Sequence, residues 1–217
     1  MRRRLSLTAL GIAALLLAGC SSAGGSSSAP STTTLEQTPT PTPTPRAAAL
    51  VVSLHEVTVV DAEGDVLGTA KLAQGDTVEA LVRSVLGEPS STTHDTTSPV
   101  GSARWDGVVL GTTDGASGVS VQLSAAQSGA IELRSSDGIA VGMSRPEVMA
   151  AGAELDASWT DTDADVVHES FVSQRESVAD TTSLTHPGQP GSIFVDVEVA
   201  DGVVVAVRAP GDDFSDI

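Results

Sequence analysis

The chain contains no tyrosine and no asparagine, one lysine, one cysteine and only five Trp and Phe side chains in 217 residues. Each shortage excludes something. A single thiol cannot form an intrachain disulfide or a multi-cysteine metal site. The lone Lys71 follows Ala70, so neither a phosphate-cradling Gly-Lys loop nor a Ser-x-x-Lys nucleophile is present, and no Gly-x-Ser-x-Gly elbow occurs. P-loop, penicillin-binding and class A β-lactamase chemistry are thereby excluded. Cations are scarce as well. From residue 48 onward seven Lys and Arg stand against 27 Asp and Glu, a net of −20. Such a surface repels phosphate backbones, so no nucleic-acid partner is expected.

The four histidines (His55, His94, His168, His186) have no ligand-like spacing. Asp161, Asp163 and Asp165 imitate the start of a calcium loop, but the sixth position is Val166 instead of Gly and the twelfth is Val172 instead of Glu. That stretch is expected to be a solvated acidic loop. No cofactor, no metal site and no catalytic residue is expected.

What is present begins at the N-terminus. Three arginines (residues 2–4) precede an apolar run from Leu5 to Leu17, then the small residues Ala18 and Gly19, then Cys20. Charge, apolar stretch and small residues in that order predict a cleaved signal peptide over residues 1–19. A membrane span needs roughly 20 apolar residues, more than this run offers. Leu17-Ala18-Gly19-Cys20 resembles the lipobox of bacterial lipoproteins. The resemblance implies that Leu17, Ala18 and Gly19 are read by the signal peptidase. It further implies that the Cys20 sulfur carries a diacylglyceryl group anchoring the chain to the extracytoplasmic face of the cell membrane. Two acyl chains suffice for a stable anchor where one does not. The Arg pair leaves twin-arginine export open beside the general secretory route.

Residues 20–47 are almost all Ser, Thr, Gly, Ala and Pro, ending in Thr-Pro repeats. This composition cannot bury enough apolar surface to offset the entropy of ordering, so a disordered linker is expected. The Thr-Pro tract favours extended polyproline II and is also an acceptor type for O-linked sugar.

Residues 48–217 are expected to fold. In 192–210, Val195, Val197 and Val199 alternate with Asp196 and Glu198, and Asp201-Gly202 has the chemistry of a type I′ turn. This predicts a hairpin in which Val199 faces Val204 and Val197 faces Ala206. Residues 118–124 and 129–134 read as a second hairpin, and 51–60 as a strand. Two helix starts are predicted. One is at Asp76 with Glu79, with Val78, Leu81, Val82 and Val85 on one face. The other is at Ser144 with Glu147, with Val148, Ala151, Gly152 and Leu155 on one face.

The recurrence of helix then strands, with Glu79 and Glu147 at comparable points, predicts an α+β fold. Two tandem helix-plus-antiparallel-strand repeats, about 48–135 and 136–217, would pack as one domain after the tether. The phrases GDTVEALVRSVLGEP and VGMSRPEVMAAGAEL resemble the capped-helix signature of small BamE-like lipoproteins, and two copies would resemble β-lactamase-inhibitor-protein-like repeats. The resemblance implies a non-enzymatic module that binds other proteins through its sheet and loops. Trp105 and Trp159 are the candidate interaction residues, although in so aromatic-poor a chain both are expected to fill the core, with Phe171 and Phe194. The function expected is a membrane-anchored surface lipoprotein that binds another envelope protein without catalysis. The alternative is a small surface hydrolase, or a ligand- or cation-binding lipoprotein, using acidic residues.

Overall fold

The computed structural model describes residues 46–94, 100–113 and 117–214, all within one unit that extends over Pro43–Ile217. The expected signal peptide, the lipobox-like stretch with Cys20 and nearly all of the expected linker lie outside the described residues. Among the described residues no helix is long and apolar enough to cross a membrane.

Thirteen strands and two helices follow in the order β1 (Ala49–Val52), β2 (Glu56–Val60), β3 (Val66–Lys71), α1 (Gly75–Leu86), β4 (Ser91–His94), β5 (Val100–Trp105), β6 (Val108–Thr113), β7 (Val119–Leu123), β8 (Gln127–Ser128), β9 (Ile131–Ser135), α2 (Arg145–Ala150), β10 (Glu154–Asp161), β11 (Val166–Ser177), β12 (Ser192–Ala200) and β13 (Val203–Asp212). They build a five-stranded sheet, β3-β2-β1-β9-β8, and an eight-stranded sheet, β10-β11-β12-β13-β7-β6-β5-β4. The expected α+β fold of two helix-plus-strand repeats is overturned. Strands hold 51% of the described residues and helices 11%. The reason is visible in the first 90 folded residues. They contribute the whole five-stranded sheet, which nothing in residues 136–217 matches. The second helix has only six residues, because Gly152, at φ 93°, ends its last turn.

The strands form where β-branched residues alternate with polar ones. In the β12–β13 hairpin, Asp201 and Gly202 take φ of 48° and 79°, as a type I′ turn requires, and Val199 faces Val204. One residue further from the turn the register slips. Val205 is extra, so Glu198 opposes Ala206 and Val197 opposes Val207 instead of Ala206. Residues 51–60 are two strands, not one, since the chain turns at Ser53–His55 so that β1 can pair with β2. The hairpin expected from 118–124 and 129–134 does not form. The chain crosses between sheets after Leu123, so β7 pairs with β6 and β13 while β9 lies parallel to β1.

Helix α1 buries Val78 and Val82, and Leu81 packs on the core edge. Its cap position is Gln74 rather than Asp76, which stands in the first turn where a negative charge suits the helix dipole. It lies close on β3 because Gly68 offers no Cβ. A methyl there would come within 2.9 Å of Leu81 Cδ1. Helix α2 begins with the expected capping box, the Ser144 N–H donating to Glu147 Oε2 at 2.8 Å. Two hydrogen bonds from Ser144, side chain then backbone, hold the Glu147 carboxyl below its usual value. Leu155 does not extend the helix's apolar face. It lies in β10, half exposed.

A single apolar core joins both sheets and both helices. Leu50, Val52 and Val57 come from the smaller sheet, and Leu110, Val121, Leu123, Phe171, Val195, Val197 and Val199 from one face of the larger. The opposite, open face of the larger sheet is mostly accessible, with Val172 and Phe194 buried on it.

Candidate functional site

In an antiparallel sheet, directly opposed residues point to the same side. One register row therefore crosses all eight strands on the open face, running Glu154, Val172, Asp196, Arg208, Gln122, Val109, Arg104, Ser91. A second row, nearer the Asp201-Gly202 turn, places Trp159, His168, Ala200 and Val203 side by side across β10 to β13. Two shallow depressions share Ser120 and Gln122 and together run the width of this face. One, of about 530 Å³, is walled by Trp159, Ser170, Asp196, Glu198 and Arg208. The other, of about 490 Å³, is walled by Ser102, Arg104, Val109 and Gly111.

The first depression holds a connected polar network. Arg208 donates from Nη1 to Asp196 Oδ2 at 3.0 Å, from Nη2 to Glu198 Oε2, and from Nε to Gln122 Oε1 at 3.2 Å. Ser170 Oγ donates to the other Asp196 oxygen at 2.7 Å. Partial burial alone would lower the affinity of Arg208 for its proton, but the hydrogen bond to Glu198 and the charges of Asp196 and Glu198 outweigh it and hold its pKa above the ordinary value. His168 stacks flat on Trp159, with ring centroids 5.4 Å apart and planes 8° apart. Its Nδ1 is buried 3.3 Å from Glu198 Oε1, at an angle that makes no hydrogen bond. At the rim, Arg175 is ion-paired with Asp156 and lies over the ring of Phe194.

Beyond the rim, Asp213 ties the segment before β12 to the end of β13. It accepts hydrogen bonds from the Ser192 N–H at 2.6 Å and from the hydroxyls of Ser183 at 2.8 Å and Ser192 at 3.2 Å. Burial pushes its pKa up, but these bonds and the charge of Arg175 prevail and hold it below the usual carboxylate range.

The two tryptophans part company. Trp105 is in the core, 7% exposed, its Nε1–H bonded to the Gly87 carbonyl at 2.8 Å. Trp159 is not in the core as expected. It stands 47% exposed on β10, the edge strand of the larger sheet. Phe171 is in the core as expected, whereas Phe194 is buried outside it, on the other face of the sheet, where it lines the Trp159 depression under Arg175. Cys20, Leu17, Ala18 and Gly19 lie outside the described residues. Residues 162–165 form the exposed turn of the β10–β11 hairpin, with Asp161 Oδ1 accepting the N–H groups of Asp163 and Ala164, and 166–170, with His168, belong to strand β11. Among the described residues no group of three or more His, Cys, Asp or Glu side chains is placed to hold a metal ion.

The residues that sequence reasoning passed over are Asp196, Glu198 and Arg208. Their outward direction was implied by the alternating valines of β12, but their convergence depends on which strands are neighbours. Comparison with models of known protein families, with curated proteins and with solved structures finds no match.

Proposed function

We propose that the chain is a membrane-anchored surface lipoprotein whose folded part is a non-catalytic protein-interaction module, and that it docks a partner from the cell envelope on the open face of the eight-stranded sheet. The observation that carries the reading is Trp159, a large aromatic half exposed at the wall of a depression on the outer face of the larger sheet. Large aromatics surrounded by polar groups supply most of the energy of protein contacts. The carboxylates beside it favour recognition over hydrolysis, since Asp196 and Glu198 are both engaged by Arg208. Support for the anchor is the Leu17-Ala18-Gly19-Cys20 sequence ahead of a long Ser, Thr and Pro tract.

Photo-crosslinking in intact cells tests the docking. A benzophenone side chain introduced in place of Trp159 should give one discrete adduct with an envelope protein, while the same group in place of Glu63, at the tip of the β2–β3 hairpin, should not. Equal labelling from both positions would remove the open face as the interface. Mass measurement of the mature chain tests the anchor. A diacylglyceryl group on a new N-terminal Cys20 is expected, and a free thiol would refute it.

A further inference from the structure

The open face is unlike in its two halves, and the difference describes the partner. On the β10–β13 side the depression walled by Trp159 is lined by five carboxylates, Asp156, Asp196, Glu198, Asp212 and Asp213, against one guanidinium, Arg208. His168 covers the Trp159 ring face turned toward Glu198, and the rest of the ring is half exposed. On the β4–β7 side the outward residues are Ser, Thr, Val, Gly and Gln, with one cation, Arg104. Among the described residues the Arg104 guanidinium has no ion-pair or hydrogen-bond partner, whereas Arg208 meets two carboxylates. Arg104 and Asp196 occupy one register row, four strand spacings apart. At roughly 4.8 Å per spacing this is about 19 Å.

Building on the docking reading, we infer that the open face takes a protein partner bearing a Lys or Arg segment, which lies against Trp159 at the mouth of this acidic depression, and a carboxylate about 19 Å from Asp196 that meets Arg104. A half-exposed indole at the wall of a depression with an excess of carboxylates attracts a cation both through the ring quadrupole and by charge. A second copy of this chain does not fit. A chain of net charge −17 repels itself, and the free edge at β10 carries Glu154, Asp156 and Asp161, the usual protection against strand-to-strand association.

NMR titration of the isotopically labelled full chain in zwitterionic detergent at low salt tests this with two probes, pentalysine and pentaglutamate. Pentalysine should shift, saturably, the Trp159 indole N–H and the amides of Ser170, Asp196 and Glu198. Pentaglutamate should shift the Arg104 side-chain N–H. Trp159→Ala should weaken pentalysine roughly three- to fivefold, with Trp159→Phe closer to the parent. Arg104→Ala should abolish only the pentaglutamate response. The equally acidic turns at 61–65 and 161–165 are internal controls. Shifts there as large as at Trp159, no shifts at all, or pentaglutamate preferring the Trp159 half would each overturn the inference. If crosslinking from position 159 persists while pentalysine ignores that half, the docking face stands and its assigned polarity falls. If crosslinking is lost while pentalysine still shifts Trp159, the cation site stands and the envelope-partner reading falls.

Discussion

The two halves of the eight-stranded sheet, β4–β7 and β10–β13, share an inner face and differ on the outer one. Inward, both present apolar side chains to one core, with Leu110, Val121 and Leu123 on one side and Phe171, Val195, Val197 and Val199 on the other. Outward, the first half has short neutral side chains and a solitary arginine, while the second has a hydrogen-bonded set of Asp196, Glu198, Arg208 and Ser170 beside a stacked Trp159 and His168. The shared face keeps the sheet folded. The unshared face is freer to specialise, because apart from Val172 and Phe194 its residues are not held in a close-packed core.

The comparison can be broken most forcefully from inside. Phe171→Ala, at a fully buried position, should remove about 3–5 kcal/mol of stability in urea unfolding. A loss under 1 kcal/mol would show that the second half does not share the core. Asp213→Asn should lose about 2 kcal/mol at neutral pH, since three hydrogen bonds to a buried carboxylate are weakened. The Asp213 pKa is lowered on folding, so its contribution is complete above the ordinary carboxylate range and disappears as pH falls through the lowered folded value. The variant's stability should consequently fall less steeply in acid than the parent's. Arg208→Met should remove about 1–2 kcal/mol, more than a fully exposed pair and less than a buried one, because Asp196 and Glu198 are mostly covered but the guanidinium is 40% exposed. Arg104→Met, on the other half, should change stability by under about 0.5 kcal/mol. The contrast between these two arginines is the sharpest single test of the asymmetry. An equal effect would mean that Arg104 is paired in solution.

Local features were legible in the sequence where short-range chemistry decides them. The Asp201-Gly202 pair forms the two-residue turn joining β12 to β13, and Ser144 with Glu147 caps the start of α2. What could not be read was strand partnership. The alternation in 118–124 and 129–134 is the same whether the two segments pair with each other or with distant strands, and only the packing of two sheets on one core decides. For the same reason the outward face of β12 was apparent from Asp196 and Glu198 between valines, yet their meeting with Arg208 was not, because it depends on the single bulged residue Val205. Trp159 was assigned to the core on the scarcity of aromatics, an argument blind to whether a given sheet face has anything above it. The expected repeat rested on the two capped helices, which are real but too short to set the architecture of a chain so rich in strands.

Strand β1 has a mechanical consequence. Its first residue follows directly on the N-terminal tract, and it lies in the middle of the five-stranded sheet, antiparallel to β2 and parallel to β9. A pull on residue 46 from an anchored end, resisted by a partner gripping the opposite sheet, would load β1 lengthwise between two neighbours. Failure would require both ladders of hydrogen bonds to shear together, rather than letting a border strand unzip one bond at a time. A pull applied at residue 46 would therefore meet more resistance than one applied to a border strand.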